Sequence, residues 1–458
     1  MNYPFLRQYL VRKKNRMNHL SRRDFLKMSG VAGAAAALAQ FAPFALAQSD
    51  VSGEFLTWNV PAETPIDIAH LTSFQEYLSL ALPNVKINWE YLSYADMLDK
   101  LRVALRGGGG PNVAVLPILW GVEFAAGGFL KPLSPEMIGL SNEDFWPKAL
   151  NSNKWQGENY GLPTNNETMA FTYNRRIFEQ AGLDPDVPPA TWADVVEYSN
   201  QIKTNLGVSG FGLVARLNHG NTPFRFMPLM WAYGGSVLDE TADSPMLDEV
   251  RINSPETQAA LQVYYDMYVR DQSVPNSSLD NSATEVQELF MAEQVAMMIV
   301  HPTSYSVIQQ TNPDLAAQMD YTLIPEGPAR RAAVFGGSNV HIFNNIADEN
   351  IPAALEYVKA RTSPQWANRL AWFSNPGNLK GFEDPYFELR KSQIKFLNVS
   401  TAMLEYGIPF PVIPESTEIM NLIVPTMIHN VLTETMTIEE ATADAEQKVK
   451  DVLARRQA

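Results

Sequence analysis

At 458 residues the chain is long enough for two or three domains of about 150 residues each. Charged residues make up 19% and apolar ones 46%, which excludes a disordered or low-complexity protein. A net charge of −15 excludes nucleic acid and anionic lipid as partners of its surface field, and the lack of any cysteine excludes a disulfide scaffold and thiol catalysis.

The first element is a leader. Residues 1–47 carry Arg7, Arg12, Lys13, Lys14, Arg16, Arg22, Arg23 and Lys27 against one acid, Asp24, and then run into the small apolar stretch Gly30–Ala47. A basic region, an apolar run and "ALA" before Gln48 form an export signal with a cleavage site. Alanine makes up half of the run, Pro43 interrupts it and no charged stop follows, so a signal is favoured over a membrane anchor. Within it, "SRRDFLK" (Ser21–Lys27) resembles the twin-arginine export signal, with Arg22 and Arg23 as the pair. Met17 offers a second start codon position. Cleavage removes eight basic residues and one acid, lowering Lys plus Arg from 35 to 27 and Asp plus Glu from 50 to 49, and the net charge from −15 to −22. With no cysteine at the cleavage site there is no lipid attachment, so the mature chain is expected to be soluble in a periplasm.

Next come two strands, Glu54–Val60 and Val85–Leu92. Leu71, Phe74, Leu78 and Leu82 lie on one helical face between them. This strand, helix, strand unit requires a right-handed crossover and a parallel pair. The following helix opens on a capping box of Ser93 with Asp96, buries Met97, Leu101 and Leu105, and stops at Gly107–Gly110 before the strand "VAVL". A phosphate loop has its glycines between a strand and a helix, since the helix N-terminus supplies the amides. Here the order is reversed, so the glycines are a turn. The strand runs into a loop bearing Trp120, at the carboxyl end of the sheet, where open α/β sheets bind ligands.

The stretch Tyr160–Val196 then carries Tyr160–Pro163, Tyr173-Asn174, Phe178, Ala181–Leu183, Pro189 and Thr191-Trp192 in a fixed order. In this it resembles the family 1 extracellular solute-binding proteins, the sugar receptors of ABC importers. The likeness continues through Met227–Glu240, Ile252–Val269, Leu289–Tyr305 and Phe335–Phe343. The chain departs from the family pattern at Asn112, where an aspartate is usual, at Glu293-Gln294, where a Gly-Lys turn is usual, and at Met420, where an aromatic is expected.

The resemblance implies an α/β, type II-like periplasmic binding protein fold. Each of its two lobes is expected to be a mainly parallel sheet flanked by helices, joined by about three hinge crossings. These fall near Asn165–Thr168, Phe335–Ser338 and Pro376–Gly381, giving a first lobe of residues 48–165 and 338–375 and a second of 166–337 and 376–458. It further implies a monomer that holds a mono- or oligosaccharide in the cleft, closes on it, and delivers it to the membrane subunits of a permease. The twin-arginine machinery is the export partner, and no cofactor, metal or catalytic residue is expected.

A sugar offers hydroxyls and apolar ring faces, met by amides, carboxylates, arginine and aromatic rings. The expected ligand contacts are Asn59, Glu63 and Trp120 around the first lobe's strand ends, and Asn165, Asn166, Gly337, Ser338 and Asn339 at the hinges. From the second lobe come Phe224, Arg225, Trp231, Tyr233 and His301, and Trp372 follows the last helix of the first. Core packing is the competing role for Trp231, Tyr233 and Trp372, and an ion pair for Arg225. An exported carbohydrate hydrolase is the alternative from another class. It would need two carboxylates about 5 to 9.5 Å apart across the cleft. A receptor for a polyol or cationic metabolite is the third reading.

Overall fold

The computed structural model describes residues 49–62, 64–118, 120–238 and 249–457. The signal segment, Gln48 and Glu63 lie outside the described residues.

The first two strands form as expected. β1 (Ser52–Asn59) and β2 (Asn84–Tyr91) pair in parallel, Ser52 opposite Asn84 and Asn59 opposite Tyr91. The helix Pro65–Ala81 between them is capped by Thr64, whose side chain accepts the Asp67 N–H, and it buries Phe74, Leu78 and Ala81. Ser93 caps the helix Tyr94–Arg106 in the same way, accepting from Asp96. Met97, Leu101 and Leu105 are its buried face. The glycine turn that follows is tied down by Asn345, whose amide donates to Gly109 O at 3.1 Å and Gly110 O at 3.2 Å. Its carbonyls face a side chain rather than its amides facing a phosphate. β3 (Val113–Pro117) then joins β1 in parallel. Asn112 explains its own departure from the family pattern: its Oδ1 accepts the Leu56 N–H at 2.8 Å while its Nδ2 reaches Asn345, and an aspartate has no proton for the second contact.

After a small hairpin of β4 (Lys154–Trp155) and β5 (Glu158–Asn159), β6 (Leu162–Glu167) enters the first sheet. The chain then turns directly into β7 (Ala170–Asn174) of a second sheet. There it adds β8 (Ser209–Phe211), β9 (Val295–Val300) and β10 (Met319–Thr322), followed by the short β11 (Ala333–Val334). β12 (Gly336–Ile342) returns to the first sheet, joined at its edge by β13 (Asn375–Pro376), and β14 (Gly407–Ile408) pairs with β11. The orders are β13-β6-β12-β3-β1-β2 and β10-β7-β9-β8.

The expectation of mainly parallel sheets is corrected. In the first sheet only β1–β2 and β1–β3 are parallel, and in the second only β8–β9. β12 runs antiparallel to both β3 and β6, and β13 antiparallel to β6. The reason is connectivity. β6 ends where the chain leaves for the second sheet, β12 begins where it comes back, and two neighbours crossing one boundary in opposite senses must be antiparallel.

Each sheet is covered on both faces. In the first, Phe55, Phe74, Tyr357 and Trp366 fill one side and Trp58, Leu101, Trp120 and Phe343 the other. In the second, Phe171, Trp192, Phe226 and Trp231 form the larger core, while Met298, Tyr305 and Phe396 lie opposite.

His341 of β12 explains a glycine in the Tyr160–Pro163 segment. Its ring is fully buried, with Nδ1 2.8 Å from Tyr160 O. A Cβ built on either Gly121 or Gly161 would stand 2.5 Å from its Cε1. Both positions must stay bare for the imidazole to fit, and burial holds its pKa down to about 4.

Candidate functional site

The two sheets meet where β6 and β12 cross. Along β6, Asn165 and Glu167 are half-buried while Asn166 and Thr168 are buried, so alternation aims the first pair into the space between the lobes. Glu167 anchors that space. Its Oε1 accepts from Asn165 Nδ2 at 2.8 Å, and its Oε2 lies 3.2 Å from Nε2 of His301, at the end of β9. His301 Nδ1 accepts the Thr303 N–H at 3.2 Å, capping the helix Pro302–Thr311. That leaves the proton on Nε2, and the imidazole donates to the carboxylate.

Aromatic rings flank this pair. From the first lobe, Tyr94 lies against Trp120, ring centroids 5.2 Å apart. Tyr94 is 49% exposed, yet burial, and then the negative charge of Glu167, raise its hydroxyl pKa. The Glu167 charge reaches this half-exposed hydroxyl, which relates the first lobe's ring to the carboxylate. From the second lobe, the Phe224 ring comes within 3.9 Å of the Cβ position that Gly336 leaves empty, as does Glu167 Cβ. Phe410 meets Phe224 edge-on at 4.9 Å. Close packing of the hinge is made possible at Gly337, with φ +128°, where a side chain would stand 2.2 Å from Asn165 O.

The site therefore offers a fixed acceptor and imidazole between aromatic surfaces from both lobes. This suits a ligand with hydroxyls around its rim and apolar faces. Among the described residues, no group of three His, Asp or Glu side chains is placed to hold a metal ion.

Of the residues expected from sequence, Asn165, Phe224, His301, Gly337 and the 4%-exposed Trp120 come together here. Ser338 borders them, its carbonyl accepting from Thr164 at 2.9 Å. Others do not. Asn59 is buried with its amide on Thr57, and Asn166 is buried with its amide on Pro376 O at 2.9 Å, a hinge strut rather than a ligand contact. Asn339 is likewise inside the first lobe, bonded to Ser152. Trp231 is fully enclosed in the second core because its helix is apolar and buried on every side from Phe226 to Ala232. Tyr233 is the last residue of that helix, twelve positions and about 18 Å from the first. Trp372 packs on His70 at 5.3 Å and Tyr386 at 5.7 Å, beneath the lobes' joint. Arg225 is buried without an ion pair among the described residues, so the ion-pair alternative is not met. Met420 is in the interior and replaces no stacking ring. Glu63 lies outside the described residues.

Sequence reasoning missed Tyr94, Glu167 and Phe410. A signal existed for Glu167: period-two alternation pairs it with Asn165, not Asn166 with Asn165.

Comparison with known proteins fits this geometry. A family model described as bacterial extracellular solute-binding protein matches residues 69–368, and one for the twin-arginine translocation signal matches 19–39. A binding protein of Brucella abortus (strain 2308) is 26% identical over 265 residues, 57% of this chain and 61% of its own length. A maltotriose-binding protein of Pyrococcus abyssi is 22% identical over 70% of this chain and 65% of its own. The chain thus spans less than two thirds of these curated relatives. Among solved structures, an ABC transporter solute-binding protein of Thermotoga lettingae bound with α-D-tagatose superposes with a TM-score of 0.74 at 23% identity, covering 88% of this chain and all of that one.

Proposed function

The chain belongs to the bacterial extracellular solute-binding protein family, and from that premise we propose that it is the receptor of an ABC importer, capturing a carbohydrate between its lobes and presenting it to the membrane subunits of a permease. The observation that carries this reading is Glu167, held by Asn165 of its own strand and His301 of the other lobe, with aromatic rings to either side. A ligand touching both walls gains contacts only in the closed form, and that differential drives closure. Micromolar binding needs about 8 kcal/mol, within reach of stacked rings and satisfied hydroxyls.

The first lobe comprises residues 49–165 and 338–393 and the second 169–334 and 395–457, with crossings at 166–168, 335–337 and near Ile394. We place the third crossing near Ile394, and not at Pro376–Gly381, on the ground that the helix Pro385–Gln393 is hydrogen-bonded to the first lobe. Its Arg390, fully buried, donates to the carbonyls of Asn368, of Ala371 at 2.8 Å and of Ser374 at 2.6 Å, and its Tyr386 hydroxyl meets His70 at 2.8 Å. The next helix, Lys395–Met403, joins the second lobe's core through Phe396 and Leu397, in a cluster that Phe387 of the preceding helix also enters.

The twin-arginine signal directs export, and the mature protein works as a soluble periplasmic monomer with no lipid anchor. No described helix is long and apolar enough to cross a membrane.

The test is a thermal-shift screen of the exported protein against mono- and oligosaccharides, polyols and polyamines, with product analysis of every hit. A ligand bound only by the native state raises the melting temperature with its occupancy. A sugar that shifts it and is recovered intact supports the receptor. Cleaved sugar, or a shift with polyamines alone, overturns it.

A further inference from the structure

The helix Asn221–Tyr233 starts with no side-chain cap of its own: Gly220 stands at the N-cap, and Pro223 carries no N–H. His219 takes two first-turn amides, Asn221 N–H on its Nδ1 and Thr222 N–H on its carbonyl, each at 3.2 Å. One turn in, the Arg225 side chain is only 4% exposed. Its sole hydrogen bond among the described residues is Nη1 to Asn221 Oδ1 at 3.1 Å, a neutral amide, and no described carboxylate lies within 4.0 Å. Nε and Nη2 have no described partner.

Among the described residues, nothing around it supplies a negative charge. Tyr264 is the neighbouring titratable group, itself fully buried with an unpartnered hydroxyl, and burial raises its pKa so that it remains a phenol. His219 is kept neutral by burial and then by the positive charge of Arg216, with Nδ1 committed as an acceptor. Glu285 is taken by the Ser282 N–H at 2.8 Å and by Arg216 at 3.1 Å. Arg390 shows what a buried structural arginine looks like in this same chain, with three carbonyls accepting from it. Burial lowers the Arg225 pKa to about 10, which still leaves it charged at neutral pH. A desolvated cation with one neutral partner is costly unless an anion completes it.

Its helix begins beside the hinge, next to the candidate site. Helical side chains lean toward the helix N-terminus, and this N-terminus follows the carboxyl end of β8. Its next residue back, Phe224, touches Gly336 at the hinge. We propose that Arg225 and the positive end of its helix form a subsite for a carboxylate carried by the ligand, making the cargo an acidic sugar such as a uronate or its oligomer. This rests on the receptor reading above. Two free N–H groups of one planar guanidinium match a carboxylate edge. A phosphate dianion is disfavoured, since Arg216, the other cation nearby, is already paired with Glu285, which leaves one guanidinium for one negative group.

Calorimetric titration of the exported protein with galacturonate and digalacturonate, the neutral galactose and galactobiose, and galactose 1-phosphate tests this, in wild type, Arg225→Gln and Arg225→Lys. The expected result is that wild type binds the uronates at least about tenfold more tightly than their neutral twins, a preference erased in R225Q and partly kept in R225K. Raising salt from about 50 to about 500 mM should weaken only the uronates. Equal or tighter binding of the neutral sugars by wild type, or preference for the phosphate, overturns the carboxylate subsite while leaving the receptor standing. So does an R225Q protein that keeps the uronate preference. If R225Q does not fold, the wild-type comparison and its salt dependence decide alone. Binding of no sugar, charged or neutral, overturns the receptor reading itself.

Discussion

Glu167 and His301 stand 3.2 Å apart on strands of different sheets, the imidazole Nε2 facing the carboxylate Oε2 across the joint between lobes. Since Asn165 holds the other oxygen at 2.8 Å, the carboxylate is fixed before any ligand arrives. Its remaining lone pairs are directed at incoming hydroxyls.

Glu167→Gln keeps the shape and removes the charge. Hydrogen bonds to a charged group contribute about 1.5–3 kcal/mol, so ligand affinity should fall roughly 10- to 100-fold with urea stability little changed. Calorimetry against the cargo identified by thermal shift measures it. Unaltered affinity would remove Glu167 from the site.

Tyr94 and Trp120 touch each other but should differ in what truncation does to stability. Tyr94→Ala removes a half-exposed ring and should weaken binding while leaving the urea midpoint nearly in place. Trp120→Ala empties a buried position and should cost about 3–5 kcal/mol of stability besides. Paired urea and binding curves separate the two effects.

Acid should destabilise the protein through His341. Its pKa falls from about 6.5 unfolded to about 4 folded, because burial penalises the imidazolium. The unfolded chain therefore binds the extra proton between those values. The neutral ring's contribution is complete above about pH 6.5 and is lost as pH falls to about 4, on the order of 3 kcal/mol in all. His70, held down to about 3 by burial and then by Arg369, acts in the same direction. His341→Gln should be less stable at pH 7 but show a flatter acid limb in urea titrations at pH 7, 5.5 and 4.5. An unchanged slope would contradict the assignment.

Arg390→Met should be severe. It strands the carbonyls of Asn368, Ala371 and Ser374 in the interior. At about 1–3 kcal/mol per unsatisfied group the loss should be at least about 3 kcal/mol. Arg390→Lys, with one ammonium for three acceptors, should recover only part of it in thermal melts.

Local chemistry made much of the fold readable. Thr64 and Ser93 announce helix starts by capping, Gly107 a helix end, and the faces through Phe74–Leu78 and Met97–Leu105 are in the helical period. Strand direction was not readable beyond β3, because β6 and β12 take theirs from where the chain crosses between sheets. In the site, Trp120, Phe224 and His301 were legible as residues at element ends, and Glu167 was legible through alternation with Asn165. Trp231 and Asn339 carry the same side-chain chemistry but are buried in the lobes, Tyr233 is half-buried at the far end of its helix, and one chain read linearly does not separate a ring on the wall from a ring behind it. Arg390 and His341 are defined by partners far away in sequence, and no local pattern announces them.

β6 and β12 lie side by side and pass between the lobes at the same edge. They form a spine about which the lobes open like the covers of a book. Rotation about a spine moves an atom in proportion to its distance from it, so Glu167 and Gly337 barely travel, while the outer rims sweep widest. For the receptor proposed above the consequence is a division of labour along the page: a ligand group held at the spine meets the same partners open or closed, and a group near the fore-edge meets both covers only when they shut.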